Sequence, residues 1–425
     1  MGAPRGGVGA RSRGRDRAWG LMRGSGRIML RGMMTTRREK QEPPISAENV
    51  HAFLDELFGQ DMHAKRVRSI ADTTTGVLQA GELGIHAIGR GIASAKGLAD
   101  KHAIKQVDRC IGNEKIDVDK MFERCVPHCI ADDDEIWVNM DWTEFDADDH
   151  SMLVLSLQTS HGRATPLMWK TVVKSKLKGQ RNNHEDALLQ RLRDLVPREV
   201  RVVIVADRGF GDQKLFAFLS RELRFDFIIR IRGDILVSND RDEQRPAAKW
   251  VGKGGRMRRL RRAWVTGDET PVGLFVAVQD KKMKDAWCLV ASDPSWSGSF
   301  VKKRYGKRFS CEETFRDLKD LRYGLGMSWR RISKPGRRDR MMMVASLAHV
   351  LLSLLGAAGE AAGLDRLLKA NTSKKRTLSL FRQGLRWFEL IPNMPASRLR
   401  KLLVEFDRIV RQHELFAGLL ASNPR

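Results

Sequence analysis

The chain reads as an α/β protein whose core carries an inserted run of β-strands and is preceded and followed by helical regions. Three observations predict this. Apolar strand-like runs at 136–140 and 200–205 each deliver an aspartate, Asp141 and Asp207. A helix-patterned segment, 182–195, leads into the second of them. Beyond Asp207, short β-patterned runs at 227–232, 264–265, 272–278 and 286–291 are separated by Gly, Asp and Lys clusters before helical patterning resumes. With 425 residues, 42% of them hydrophobic, the chain can bury a substantial core in two or three domains.

Charge narrows the choice of partner. Lys and Arg number 77 against 52 acids, a formal net charge of +25 and a pI near 10.3, a balance that favours nucleic acid. No uninterrupted apolar run reaches the roughly 20 residues that span a bilayer, so a membrane is a weaker partner. Five cysteines, few and odd in number, suit a reducing compartment. Cys110, Cys125, His128 and Cys129 have the look of a zinc cluster, but no second paired motif completes it, and ordinary thiols are the simpler reading.

Taken in order, residues 1–40 are Arg- and Gly-rich with only two acids, Asp16 and Glu39, and are expected to be a disordered leader. It resembles a mitochondrial transit peptide; alternatively, Met33 is a natural start preceded by upstream translated sequence. Residues 46–125 are helical, with Ser46 as capping residue. Two short helices there, 93–98 and 99–111, carry a basic side that includes Lys101, Lys105 and Arg109. They suggest a helix-turn-helix that binds DNA ends, although a helical packing domain with a wet face would look the same.

The core is placed at 133–355. Strands at 151–159 and 166–173 flank the first, and a β insertion occupies 233–300. A strand, an aspartate and a glycine turn, as at Asp207-Arg208-Gly209, put the acid at the strand edge where ligands of open α/β sheets gather. Arg330, Arg331, Lys334, Arg337, Arg338 and Arg340 form a dense basic run suited to phosphate contact. The stretch 341–355 is expected to be a buried helix. The region 356–425 is helical, and its apolar stripe of Leu399, Leu402, Leu403, Phe406, Ile409 and Val410 serves either as core or as a subunit interface.

The most informative stretch is 305–319. Its Tyr305, Arg308, Glu312 and Lys319 fall at i, i+3, i+7 and i+14, spacings that share one face of a single helix, though a solvated surface helix would show similar charges. Tyrosine, two residues, arginine, three residues, glutamate, six residues, lysine resembles the Y-R-E-K signature of insertion-sequence-four family transposases. Asp141 followed by Thr143, and Asp207 in Asp-Arg-Gly-Phe, resemble the first two catalytic segments of the same family. The acids lie 66 and then 105 residues apart, and the family carries its β insertion in the second interval.

The resemblance implies an RNase H-like core and a DDE enzyme with Asp141, Asp207 and Glu312 as catalytic acids holding two Mg²⁺ or Mn²⁺ ions. Tyr305, Arg308 and Lys319 would grip phosphates; Arg230 and Arg232 either add backbone contacts or are simply solvated, and the charge of Arg330, Arg331, Arg337 and Arg338 suits target DNA. Trp287 resembles the tryptophan that takes the place of a flipped base, unless it is only a strand residue of the insertion core. Partners implied are inverted-repeat DNA ends, target DNA and a second subunit in a homodimeric synaptic complex, in a bacterial cytoplasm beside the nucleoid. The alternative is a transposase-derived protein that binds DNA without cutting it.

Overall fold

The computed structural model describes residues 45–130, 133–266 and 268–412. The leader at 1–40 and the end of the helical region expected at 356–425 lie outside them. Five helices come first: α1 (Ala47–Phe58), α2 (Ala64–Ala80), α3 (Ile85–Lys96), α4 (Asp100–Gly112) and α5 (Val118–Ile130). Ser46 caps α1 by accepting from the Asn49 amide at 3.1 Å, and Gly81 and Gly97 close α2 and α3 in the left-handed region that a side chain disfavours.

The core follows as β1 (Glu135–Phe145), β2 (His150–Gln158), β3 (Ala164–Val173), α6 (Arg181–Leu195), β4 (Arg201–Ala206), α7 (Gln213–Ala217) and β5 (Asp226–Ile231). Strands β1, β2 and β3 form an antiparallel meander, whereas β4 pairs parallel to β1 and β5 parallel to β4. Central β4 reads Val-Val-Ile-Val-Ala after its first residue and is buried throughout, as a strand covered on both faces must be.

The expected insertion does not fold as a separate sheet. Strands β6 (Leu236–Ser238), β7 (Gln244–Pro246), β8 (Arg258–Val265), β9 (Thr270–Val278) and β10 (Trp287–Ala291) extend the core sheet. Its ten strands run in the order β3-β2-β1-β4-β5-β10-β9-β8-β6-β7. The join is β10 against β5, antiparallel, with Cys288 opposite Ile231 and Ala291 opposite Ile228. Apolar Ile228, Ile229, Ile231, Cys288, Leu289 and Val290 are all buried at this seam, so separating them would expose both apolar faces and ladder bonds.

After the sheet come α8 (Gly298–Gly306), α9 (Phe309–Lys319), α10 (Pro335–Ala361), α11 (Leu380–Leu390) and α12 (Ala396–Arg411). Helix α10 begins with Pro at its first position and is buried over most of its length. It is long and apolar enough to cross a bilayer, contrary to the estimate from runs of residue type, but 78% of the qualifying window is packed inside the protein. Its backbone meets that of α11: a Cβ at Gly384 would lie 1.7 Å from the Leu352 carbonyl oxygen, and one at Gly356 1.9 Å from that of Leu380.

The first turn of α10 is fastened to β3. Asp339 Oδ1 accepts from the Thr171 amide at 2.9 Å, and the Trp169 indole N–H donates to the Asp339 carbonyl at 3.1 Å. Burial pushes the Asp339 carboxyl up to about 6 from 3.8, against the pull of the Thr171 hydrogen bonds. The folded state therefore binds a proton more tightly than the unfolded chain. This group's contribution to stability declines as pH rises from about 4 to about 6 and stays unfavourable above that. Asp339→Asn, which keeps the acceptor and removes the titration, should raise Tm relative to wild type at pH 8. The difference should shrink toward pH 4 in thermal melts.

Candidate active site

Two of the three predicted acids meet through strand register. Parallel pairing of β1 with β4 ends at Met140 opposite Ala206, so Asp141 and Asp207 are the next residues on neighbouring strands, which run roughly 4.8 Å apart. The strand β1 does not end at Asp141, as the apolar run suggested; it continues to Phe145 paired only with β2. Asp207 leaves β4 in an extended conformation and its Oδ1 accepts from the Gly209 amide at 2.8 Å, which fixes the acid at the lip of the sheet.

The third acid arrives on α9. The 305–319 stretch is not one helix: Gly306, a poor helix former, ends α8, and i→i−3 bonds from Arg308 to Tyr305 (2.9 Å) and Ser310 to Lys307 (3.0 Å) tighten the chain before α9 starts. The four residues consequently take different stations. Tyr305 is buried beneath the site, its ring edge-on to Trp287 at 4.9 Å between centroids. Arg308 Nη1 donates to Asp141 Oδ2 at 3.0 Å and Nη2 to Glu312 Oε1 at 2.6 Å. Lys319 turns to β1, donating to Thr143 Oγ1 at 2.8 Å and to the Glu144 carbonyl at 2.7 Å, with its Nζ 4.6 Å from the centre of the Phe145 ring. Glu313, the neighbour of Glu312, points elsewhere and pairs with Arg316 at 2.9 Å and Arg163 at 3.5 Å.

The electrostatics are those of acids crowded at a half-buried site. Burial pushes Asp141 up to about 6; Arg308 opposes this, while the charges of Asp207 and Glu312 add to it. For Arg308 burial works against the charged form, yet Asp141, Tyr305, Glu312 and Asp207 outweigh it and hold the guanidinium more firmly protonated than usual. Burial lowers Lys319, and the nearby Arg338 lowers it further.

A second group of predicted residues borders this centre. Trp287 opens β10, stacked at 22° on Phe309 with ring centres 6.3 Å apart. Arg230 donates to the Ala286 carbonyl at 3.2 Å, and its buried Nε has no partner among the described residues. With exposed Arg232, Arg230 lines a cavity of about 670 Å³ whose wall also includes Arg208 and Lys284. Sequence reasoning missed those last two; the signal available was their position, one residue after Asp207 and three before Trp287.

The basic run divides. Arg330 pairs with Glu82, and Arg337 pairs with Asp108 at 2.5 Å. Arg331 is 78% exposed. Arg338 is wholly buried, paired with Asp148, donating to His150 Nδ1 at 3.1 Å and lying 3.9 Å over the Phe145 ring. It is part of the wall behind the site. Cys125 and Cys129 flank an apolar cavity, and burial raises both thiols, Cys129 up to about 12.

Residues 167–351 match the family model of the transposase DDE domain. Over this stretch the chain is similar to a transposase DDE domain. Such a domain acts on DNA in the transposition of mobile elements, and its core is RNase H-like, here the mixed sheet β1 to β5. The match takes in Asp207 and Glu312; Asp141 precedes it and joins them through the β1–β4 register. No curated protein matches the sequence.

Domains of this family typically use a divalent metal. The donors here are all carboxylate oxygens, the ligand set of Mg²⁺ and Mn²⁺, and the upward push on Asp141 by its neighbours is the repulsion such a cation relieves. Among the described residues no three His, Cys, Asp or Glu side chains are grouped closely enough to hold an ion as they stand, because the Arg308 guanidinium lies between Asp141 and Glu312. Arg308 and a divalent cation thus compete for the same oxygens. Arg308→Ala should tighten Mn²⁺ binding several-fold by calorimetry, and unchanged or weaker binding would show that the guanidinium does not compete.

Proposed function

We propose that the chain is a cut-and-paste DNA transposase that cleaves the ends of an insertion sequence and joins them to target DNA. The observation that supports this is that strand register sets Asp141 beside Asp207 and that Arg308 bonds both Asp141 and Glu312, although the acids lie 66 and then 105 residues apart in sequence. Asp141 and Asp207 would hold the divalent cations, and Glu312 would join them once its pairing with Arg308 is exchanged for one with a phosphate. When bound, two such ions activate a water or a 3′-hydroxyl and stabilise the leaving 3′-oxygen of an in-line phosphoryl transfer.

The protein's own groups do the rest. Arg308 is held by the acids now and presents a planar pair of donors that suits a phosphate as well as a carboxylate. Tyr305 fixes the floor under Arg308 and packs on Trp287. The Trp287 ring offers a stacking surface to an unpaired base, a contact worth about 1 to 3 kcal/mol. Arg208, Arg230, Arg232 and Lys284 surround the adjoining cavity with positive charge for the strand that leaves the duplex. Nicking, hairpin formation on the transposon end, hairpin opening and strand transfer would follow in that order. The exposed Lys101, Lys105 and Arg109 on α4 are the proposed contacts to the inverted-repeat ends, within a homodimeric synaptic complex.

Asp207→Asn should abolish metal-dependent nicking of a fragment with inverted-repeat ends while leaving its affinity in gel-shift titration unchanged; equal loss of both would mean the acid is structural. No nicking by the wild type under either metal would leave the DNA-binding alternative. Trp287→Ala should still nick but accumulate little hairpin on a denaturing gel, and normal hairpin yield would remove the stacking role.

A further inference from the structure

We propose that the cavity between the end of α4 and the first turn of α10 seats a backbone phosphate of duplex DNA, with buried Arg340 as its anchor and Arg331 and Lys334 at its mouth. The proposal rests on the chain working on DNA. The cavity has a volume of about 430 Å³ and lies away from the catalytic acids.

Arg340 is the deciding group. It is 7% exposed and lines the cavity. Its Nε donates to the Ile111 carbonyl at 2.7 Å, but among the described residues neither terminal nitrogen has an acceptor. The terminal nitrogens are not sealed off from solvent but open on the cavity, where a phosphate can present oxygens in the plane of the guanidinium. The cavity also borders the N-terminal end of α10, through Lys334 and Arg337, where the helix dipole is positive.

Gly112 leaves room for a cation at the cavity wall: a Cβ there would come within 2.7 Å of Arg337 Nη1. Acids also line the cavity, but two of them are already engaged. Asp108 is held by Arg337 at 2.5 Å; Asp148 is held by Arg338 and by the Ile332 amide at 3.1 Å. Glu114, 3.8 Å from Lys334, is largely exposed. Arg331 and Lys334 have only long, exposed pairings, with Asp148 at 3.8 Å and Glu114 at 3.8 Å, which leaves Arg340 as the lining cation with no carboxylate paired to it among the described residues.

Placement suits a duplex crossing the site. Asp148 lies seven residues beyond Asp141, and Lys319 and Arg338 share the Phe145 ring between them. Seven residues span at most about 23 Å, so the Asp148 edge of the cavity lies no farther than that from Asp141, inside the footprint of a duplex that crosses the acids.

The test is fluorescence anisotropy of the full chain with a 30-bp duplex lacking inverted repeats, in EDTA, across a salt series. Arg340→Gln should weaken binding roughly five- to tenfold near 0.1 M salt and reduce the slope of log K against log salt by about 1. The surface double variant Arg331→Gln, Lys334→Gln should act in the same direction, and it stands in if Arg340→Gln fails to fold. Unchanged affinity and slope in both variants overturn the proposal. So does loss of inorganic phosphate binding in Arg340→Gln with duplex affinity intact, which would make this a free-anion site. Because no metal is present, a chain that cuts inverted-repeat DNA but ignores Arg340→Gln loses only the cavity. A chain that never cuts, yet binds duplex through Arg340, loses only the enzyme.

Discussion

One guanidinium ties the site together. Arg308 reaches from the turn between α8 and α9 to Asp141 on β1 and to Glu312 one helical turn on, so a single side chain fixes the distance between sheet and helix at the acids. Replacing it by an uncharged residue would leave carboxylates facing one another in a half-buried setting, where repulsion is only partly screened. The same neutralisation recurs behind the site. Lys319 braces Thr143 and Glu144, and Arg338 holds Asp148, with Phe145 as a shared ring between the two cations. The strand β1 is therefore lined with alternating anchors from the acids to the turn that follows it.

Much of this was legible in the sequence, for identifiable reasons. Asp141 and Asp207 could be found because each follows a run of residues that only a buried strand accommodates, and parallel register then sets the two side by side. Glu312 is singled out by the spacing of the resembled signature, and the turn of about 100° per residue in a helix then sends its neighbour Glu313 elsewhere. The break between α8 and α9 was not legible from spacing alone. Gly306 was its signal, and it competes with strongly helical neighbours.

The basic run shows the opposite limit. As a string of arginines between 330 and 340 it is indistinguishable from a solvated patch. Only the fold reveals that Arg338 meets Asp148, 190 residues away, and that Arg340 is turned inward while Arg331 stays in water. Long-range charge pairing leaves no periodic trace, so burial of a cation cannot be read from composition. The β insertion was visible as strands but not as an extension of the core sheet, because edge-to-edge pairing is decided by neighbours distant in sequence.

That shared ladder has a further consequence for how such proteins change over time. Since β10 hydrogen-bonds to β5 along the seam that carries Arg230, the segment from β6 to β10 is not a cassette. Recombination that exchanged it between related chains would have to carry a matching β5 edge, or leave backbone amides and carbonyls stranded in the interior. The strand that carries Trp287 and the β5 edge beside it therefore form one structural unit.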